Sequence, residues 1–372
     1  MSRVLVDGIM YRLQAQGGIT RCFDELLARV GRYDNELEIL FHLPARYRRT
    51  PPRAPWLRTI RDRRIRPHRF FGPIMRRASM ARLRTLKPRV FHSTYYTRPY
   101  WPGMQSVVTV HDFAHQRFPE LMTDMDHELP SRMKRAIEEA SAIIAVSETV
   151  RGQVLEYTRA EPSRTVVIPH GIGDAFKPND SDPGKIGRVL DKHGVRRPYW
   201  LHVGRREGYK NFMALMRAFV ARAGHEDAAL VAVGGAPELE PEPARLVAEH
   251  RLDARVHVLH GVSDEELRLL YADATALVFP SFDEGFGIPL LEAMACGTVS
   301  IASDIPAFRE VAGRAALYFD PHAWHALSEH MRRVAEDEAV RDDLIRAGRE
   351  RVQEFSWDVS ARALAEVYRG LG

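Results

Sequence analysis

Apolar residues in this chain fall repeatedly into short unbroken runs, each closed by Gly, Pro, His or Asp and followed by apolar positions three and four apart. In the first half the runs are Val4 to Asp7, Glu36 to His42, Arg89 to His92, Ser106 to Val110, Ala142 to Val146 and Thr165 to Ile168. In the second half they are Tyr199 to Val203, Leu230 to Val233, Val256 to Leu259, Ala276 to Phe279 and Val299 to Ala302. A run without alternation fits a strand covered on both faces, as in a parallel sheet. Helical spacing follows, at Phe23, Leu26, Leu27 and Val30, then over Val150 to Tyr157, Phe212 to Ala221, Leu290 to Ala295 and Trp357 to Leu371. Strand alternating with helix in both halves predicts an α/β chain of two doubly wound, Rossmann-like parallel sheets.

A chain of 372 residues is long for one core, so two domains are expected. The Pro-, Asp- and Gly-rich stretch from Asp174 to Gly194 reads as the linker. This gives a first domain over 1–175, a second over 195–356 and a terminal helix over 357–372. With 45% hydrophobic and 28% charged residues the composition is that of a globular protein. No long apolar run and no signal-like start occur, so a cytoplasmic location is expected. Cys22 and Cys296 stand far apart without a partner pattern, which argues against a disulfide framework or zinc site.

The densest chemistry lies between Phe279 and Pro306. Pro280 closes a strand, a loop carries Glu284, Gly285, Phe286 and Gly287, and Pro289 sits where the first turn of a helix tolerates a missing N–H. Unpaired amides and the positive end of the dipole favour an anion at such a crossing, and glycines let it approach the backbone. Glu284 and Glu292, as acceptor-only carboxylates, suit sugar or ribose hydroxyls. Taken alone, the pair reads more readily as a surface loop acid and a helix acid favoured by the dipole. A second crossing, Gly204 to Asn211, places Arg205, Arg206 and Lys210 before a helix, where cations can neutralise a diphosphate leaving group. In the first half, Gly17 and Gly18 lie between a strand and a helix, and His111 and Asp112 end a buried strand. Ser147 reads as an N-cap.

The two glutamates with their flanks, from Glu284 to the run AMACGTVSIASDIPAFREVAG, resemble the donor signature of retaining glycosyltransferases of family 4. That resemblance implies a GT-B fold, two Rossmann-like domains facing across a cleft, with the last helix crossing back to the first domain. It implies that Glu292 binds the ribose, and that Glu284 with the amides of Phe286 and Gly287 lies by the donor sugar. Lys210 and Arg206, with Arg205 as the open alternative, would hold the diphosphate, and Gly17 and Gly18 would lie near it. His111 and Asp112 would face the donor sugar and the acceptor. The implied reaction is hexosyl transfer to a hydroxyl with retention, the donor phosphate taking the proton, with no cofactor and no metal. Asp124-Met125-Asp126 has a spacing used for manganese elsewhere but follows no buried strand, so it reads as a loop or helix start. The loops also look most like those of bacterial O-antigen and capsule mannosyltransferases. This points to GDP-mannose and a glycan or lipid-linked acceptor, with a UDP- or dTDP-sugar donor as the alternative.

Charge changes the picture in one place. Between Arg46 and Arg89 stand fifteen Arg and one Lys against Asp62, a local +15 that leaves the rest of the chain at −10. Trp56, Ile60, Ile65, Phe70, Phe71, Ile74, Met75, Met80 and Leu83 are interleaved with them. The mixture suits an anionic membrane or lipid-pyrophosphate face better than a solvated basic loop or nucleic acid, and nucleic acid is not expected as a partner. The expected location is therefore cytoplasmic and peripheral to the membrane. A non-catalytic basic adaptor is the rival from another class, opposed by intact Glu284, Glu292 and Lys210.

Overall fold

Each apolar run of the first half pairs in parallel with its neighbours. The structure, a computed structural model, describes residues 2–14, 17–62, 68–122, 127–176 and 182–372, the stretch 68–76 as backbone. The strands are β1 (Ser2–Asp7), β2 (Leu37–Leu43), β3 (Leu57–Arg61), β4 (Val90–Ser93), β5 (Gln105–Val110), β6 (Ala142–Ala145) and β7 (Thr165–Val167). They lie in the order β3-β2-β1-β4-β5-β6-β7. The second half forms its own parallel sheet from β8 (Tyr199–Val203), β9 (Ala229–Val233), β10 (Val256–Leu259), β11 (Ala276–Phe279), β12 (Ser300–Ser303) and β13 (Ala316–Phe319). Its order is β10-β9-β8-β11-β12-β13. The winding direction reverses between β1 and β4 in one sheet and between β8 and β11 in the other. Those carboxyl-end crevices are where open α/β sheets take ligands.

The first compact unit comprises Met1–Asp112, Asp126–Gly171 and Ser356–Gly372. Its core joins Val4, Val6, Ile39 and Phe41 from the sheet to Phe23 and Leu26 on the helix Gly18–Leu27. The terminal helix Trp357–Leu371 packs into the same core through Trp357, Leu364 and Tyr368. It is fixed there by Tyr33 donating to Asp358 at 2.7 Å and Ser360 donating to the Pro169 carbonyl at 2.6 Å. Gly171 is required at this junction, because a Cβ would stand 2.1 Å from the Trp357 nitrogen.

The second unit comprises Phe113–Met125 and Ile172–Phe355. The reading of 1–175 as one domain is corrected here: Phe113–Met125 packs with the second unit. Arg117 of that segment pairs with the buried Asp283, and the rings of Phe118 and Phe282 stack at 6.1 Å. The segment also approaches Gly208, where a Cβ would meet the Leu121 carbonyl at 2.1 Å. The expected linker is largely a helix, Pro183–His193, capped by Asp182, which accepts from Gly184 N at 2.9 Å, and by Gly194 at φ +65°. Residues 177–181 of it and the Asp124-Met125-Asp126 triplet lie outside the described residues.

The basic window is not a plain loop. It contributes the edge strand β3 and the helix His68–Thr85. Ile60 and Leu83 are buried against Leu5, Leu40 and Phe91, with Met80 packed beside them. Trp56 donates to the Leu27 carbonyl at 2.9 Å. These four side chains, read from sequence as membrane-facing, are therefore part of the first unit's own packing. The side chains of Ile65, Phe70, Phe71, Ile74 and Met75 lie outside the described residues. Among the described residues no helix is long and apolar enough to cross a membrane.

Candidate active site

The second unit concentrates its polar side chains at the carboxyl ends of β8 and β11. Past β8 the chain turns through Gly204 (φ +141°) and reaches Lys210 in a short 3-10 turn, Gly208–Lys210. Asn211 follows in the left-handed region (φ +53°), a conformation Asn tolerates better than most residues. Its amide donates to the Pro280 carbonyl at 3.0 Å and the Pro321 carbonyl at 2.8 Å, which ties this loop to the one after β11. A second tie runs from Phe282 N to the Tyr209 carbonyl at 2.8 Å. The outcome is that Lys210 and Glu284, 74 positions apart, meet at 2.6 Å. Ser281 also donates to Glu284, at 2.9 Å, and the Lys210 ammonium lies 4.6 Å from the Tyr209 ring centre.

The helix behind the loop, Ile288–Cys296, begins at Gly287 with φ +105°. A side chain there would be strained by the backbone angle and would stand 3.0 Å from the Phe308 ring. Its first-turn amides face the same crevice, with Pro289 occupying a position that needs no donor. Glu292 is buried, 2% exposed, and accepts from the Tyr271 hydroxyl at 2.9 Å. Burial, and then the Glu292 charge, push the neighbouring Cys296 thiol up to about 12, so it is a packed thiol and no nucleophile. Phe286 is buried with its ring edge-on to Phe355, and Gly285 stands beside it in the loop.

Two adjacent arginines have opposite fates. Arg206, chosen from sequence for the diphosphate, is enclosed: its guanidinium donates to the carbonyls of Gly234, Ala236 (2.6 Å) and Glu238 (2.7 Å) and contacts Glu240 at 3.3 Å. It staples the loop after β9 to the loop after β8, and four of its five N–H groups are engaged there. Gly234 is part of the same close approach, since a Cβ there would stand 3.1 Å from the Gly204 carbonyl. Arg205 has a side chain 59% exposed and, among the described residues, pairs across the surface with Glu207 at 2.5 Å. It is the arginine able to turn toward an anion. Beneath the loop His202 is fully buried between the carbonyls of Val278 and Arg205, both at 3.2 Å, and burial lowers it to about 4.

Gly17, Gly18, His111 and Asp112 belong to the first unit. Gly17 caps the helix Gly18–Leu27 beyond β1, and residues 15–16 of that loop lie outside the described residues. His111 directly follows β5 and stacks on His170 with ring centres 6.0 Å apart. Its Nε2 is buried without a hydrogen-bond partner among the described residues, and burial lowers the ring to about 4, against a smaller opposing effect of Asp112. A neutral imidazole with an unmet nitrogen can accept or donate one hydrogen bond to a hydroxyl. Ser147 is an N-cap, accepting from Val150 N at 3.0 Å.

Asn211, Ser281, Tyr271 and His202 were not singled out by sequence reasoning. Asn211 left a signal, an Asn directly before a helix after a glycine-bearing loop. Tyr271 left none, because its partner Glu292 is supplied by a different helix.

Comparison with known proteins agrees with this geometry. The family described as "Glycosyltransferase Family 4" matches residues 16–176, and "Glycosyl transferases group 1" matches 191–351, so together they account for most of the chain. O-antigen chain mannosyltransferase B of Escherichia coli is 27% identical over 82% of this chain and 80% of its own length. Alpha-maltose-1-phosphate synthase of Mycolicibacterium smegmatis is 34% identical over 63% of this chain and 65% of its own length. The solved structure of a sucrose-phosphate synthase from Thermosynechococcus elongatus superposes with a TM-score of 0.77 at 23% identity, covering 100% of this chain and 99% of that one. With both family models matched on a GT-B fold, the chain belongs to glycosyltransferase family 4 and is a glycosyltransferase.

Proposed function

We propose that this enzyme transfers mannose from GDP-mannose, with retention at the anomeric carbon, to a hydroxyl of a glycan or lipid-linked acceptor in cell-surface polysaccharide synthesis. The observation that carries the reading is the convergence of Lys210, Glu284 and the helix start at Gly287 on the β8/β11 crevice. In this reading Lys210 and Arg205 face the donor diphosphate, Glu284 takes sugar hydroxyls and Glu292 the ribose. As the bond from the anomeric carbon to phosphate breaks, charge grows on the phosphate oxygen, and the cations stabilise it. That oxygen then takes the proton of the attacking acceptor hydroxyl, so no protein nucleophile is required. Lys210, Arg205 and a helix amino end supply the positive charge a divalent ion would, and the reaction is read as metal-independent.

Mannose is supported by the likeness to the O-antigen chain mannosyltransferase. The comparable likeness to a maltose-1-phosphate synthase favours keeping a UDP- or dTDP-sugar as the second reading. Thermal shift with a panel of nucleotides and sugar nucleotides, with and without EDTA, separates them. A ligand at 100 times its dissociation constant adds about 2.7 kcal/mol. Stabilisation by GDP and GDP-mannose alone, unchanged by EDTA, is the expected result, and a response confined to UDP or dTDP compounds overturns mannose. The basic window is read as the face toward anionic lipid. Neutralising the arginines between Arg61 and Arg77 should weaken sedimentation with anionic vesicles, and unaltered sedimentation discards this part.

A further inference from the structure

The segment Phe113–Met125 follows β5 in the chain yet belongs to the second unit, and the residues described in it, 113–122, meet that unit at three places beside the candidate site. Phe113 and Ala114 are fully buried and anchor its start. A short helix, Ala114–Arg117, then passes into a 3-10 turn, Pro119–Leu121, opened by a proline at a position that needs no donor. The turn brings Arg117, Phe118 and Leu121 to the loops after β8 and β11. Arg117 pairs with Asp283. Phe118 stacks on Phe282 at 6.1 Å, and the His322 ring lies 4.9 Å from Phe282 as well. The Leu121 carbonyl approaches Gly208 (φ +61°) so closely that a Cβ there would stand 2.1 Å from it.

Each of these contacts falls within two residues of Glu284 or Lys210. Asp283 directly precedes Glu284, and the two carboxylates take different partners: Asp283 takes Arg117, while Glu284 accepts from Lys210 at 2.6 Å and from Ser281 at 2.9 Å. Phe282 carries the backbone bond to the Tyr209 carbonyl, and Gly208 opens the 3-10 turn that ends in Lys210. A shift of the segment therefore moves both ends of the Lys210–Glu284 pair. Electrostatics points the same way. The Asp283 side chain is 3% exposed, and a carboxylate held out of water needs a cation, which Arg117, 33% exposed, supplies. Without Arg117 the loop after β11 would bring two carboxylates to the crevice beside Lys210, a poor setting for an anionic diphosphate. A buried ion pair adds little stability over apolar packing of the same volume, which favours a positioning role for this one.

We infer that Arg117 is a positioning residue for the donor: acting through Asp283, it holds Glu284 and Lys210 in the geometry that takes the sugar and the diphosphate. The inference rests on the donor reading of the β8/β11 crevice for its effect on ligand, and on the contacts alone for its effect on the loop.

The test is calorimetric titration of GDP-mannose and of UDP-glucose into the full chain, R117A, R117K, R117A/D283N and the control R314A, with hydrogen exchange of residues 282–287 in the ligand-free chains as a second readout. Whichever sugar nucleotide the parent takes, R117A should bind it at least tenfold more weakly, and R117K within about threefold of the parent, because lysine keeps a charge at Asp283. Adding D283N to R117A should recover at least threefold, since the carboxylate deprived of its guanidinium is then gone. A deficit caused only by looser packing of the segment would not be relieved by a second substitution. R314A, which removes an exposed pair with Glu350, should match the parent. Exchange at 282–287 should quicken at least tenfold in R117A and slow again in R117K, with β11 unchanged. R117A that binds as the parent does, or D283N that leaves its deficit unchanged or deepens it, overturns the inference. A parent chain that takes neither sugar nucleotide overturns the donor reading instead. Exchange then decides for Arg117 alone, faster exchange in R117A upholding its hold on the loop and parent exchange rejecting it.

Discussion

Arg205 and Arg206 show what one position can decide. Sequence spacing put two cations before the helix Phe212–Arg222 but could not say which of two identical neighbours turns inward. Burial follows from where Gly234, Ala236 and Glu238 present their carbonyls, a tertiary fact. Arg206→Ala should therefore act on stability. Leaving buried carbonyls without donors costs about 1–3 kcal/mol each, so a loss of roughly 3 kcal/mol or more is expected. Arg205→Ala should leave the unfolding free energy within about 0.5 kcal/mol of the parent, as for an exposed side chain, and lower kcat. Denaturant titration beside steady-state kinetics checks both, and the reverse pattern would return the diphosphate role to Arg206. Lys210 and Glu284 were legible because their neighbours are distinctive. Tyr271, which orients Glu292, was not, since nothing in its own helix marks it.

Among the elements, the parallel strands could be read almost residue for residue where they are unbroken apolar runs, as in β11. The edge strand β3, LRTIR, was hidden by its own exposure: Arg58 and Arg61 are exposed and only Ile60 is fully buried. The helix His68–Thr85 was masked by arginines that make its pattern weakly amphipathic, so the window read as a membrane-facing basic stretch with no elements of its own. The loop after β11 was clearer, because Gly285, Gly287 and Pro289 fix its geometry. Gly287→Ala tests that geometry. A positive φ and a 3.0 Å approach to Phe308 should together cost about 1–2 kcal/mol. Because the same residue starts the helix proposed to face the donor, KM for the sugar nucleotide should rise at least severalfold. An alanine variant with parent stability and parent KM would show that the loop does not need this conformation.

At the scale of the whole molecule, the histidines give the chain a defined acid limit. Burial lowers His92 to about 3, His111 and His202 to about 4, and His170 well below its ordinary value. Each is neutral in the fold and binds a proton more readily once unfolded, near pH 6.5. The stability they allow is complete above about pH 6.5 and is lost as the pH falls from there toward 4. Melting temperature should therefore drop steadily from pH 7 to 4.5, and a flat profile would mean these rings are not buried as described. The two-unit plan itself was legible from alternating strand and helix runs, whereas the transfer of Phe113–Met125 to the second unit was not. That placement depends on Arg117 and Phe118 finding Asp283 and Phe282 far along the chain.

The proposed donor site is the β8/β11 crevice, where a nucleotide sugar binds through Lys210 and Glu292. Its most direct measurement is calorimetric titration of GDP-mannose into the parent chain, Lys210→Ala and Glu292→Ala, with melting curves recorded for all three. Metal-independent binding by the parent, weakened at least tenfold in both variants at little cost in melting temperature for Lys210→Ala, is the predicted result. GDP-mannose held equally tightly by all three chains would contradict the account.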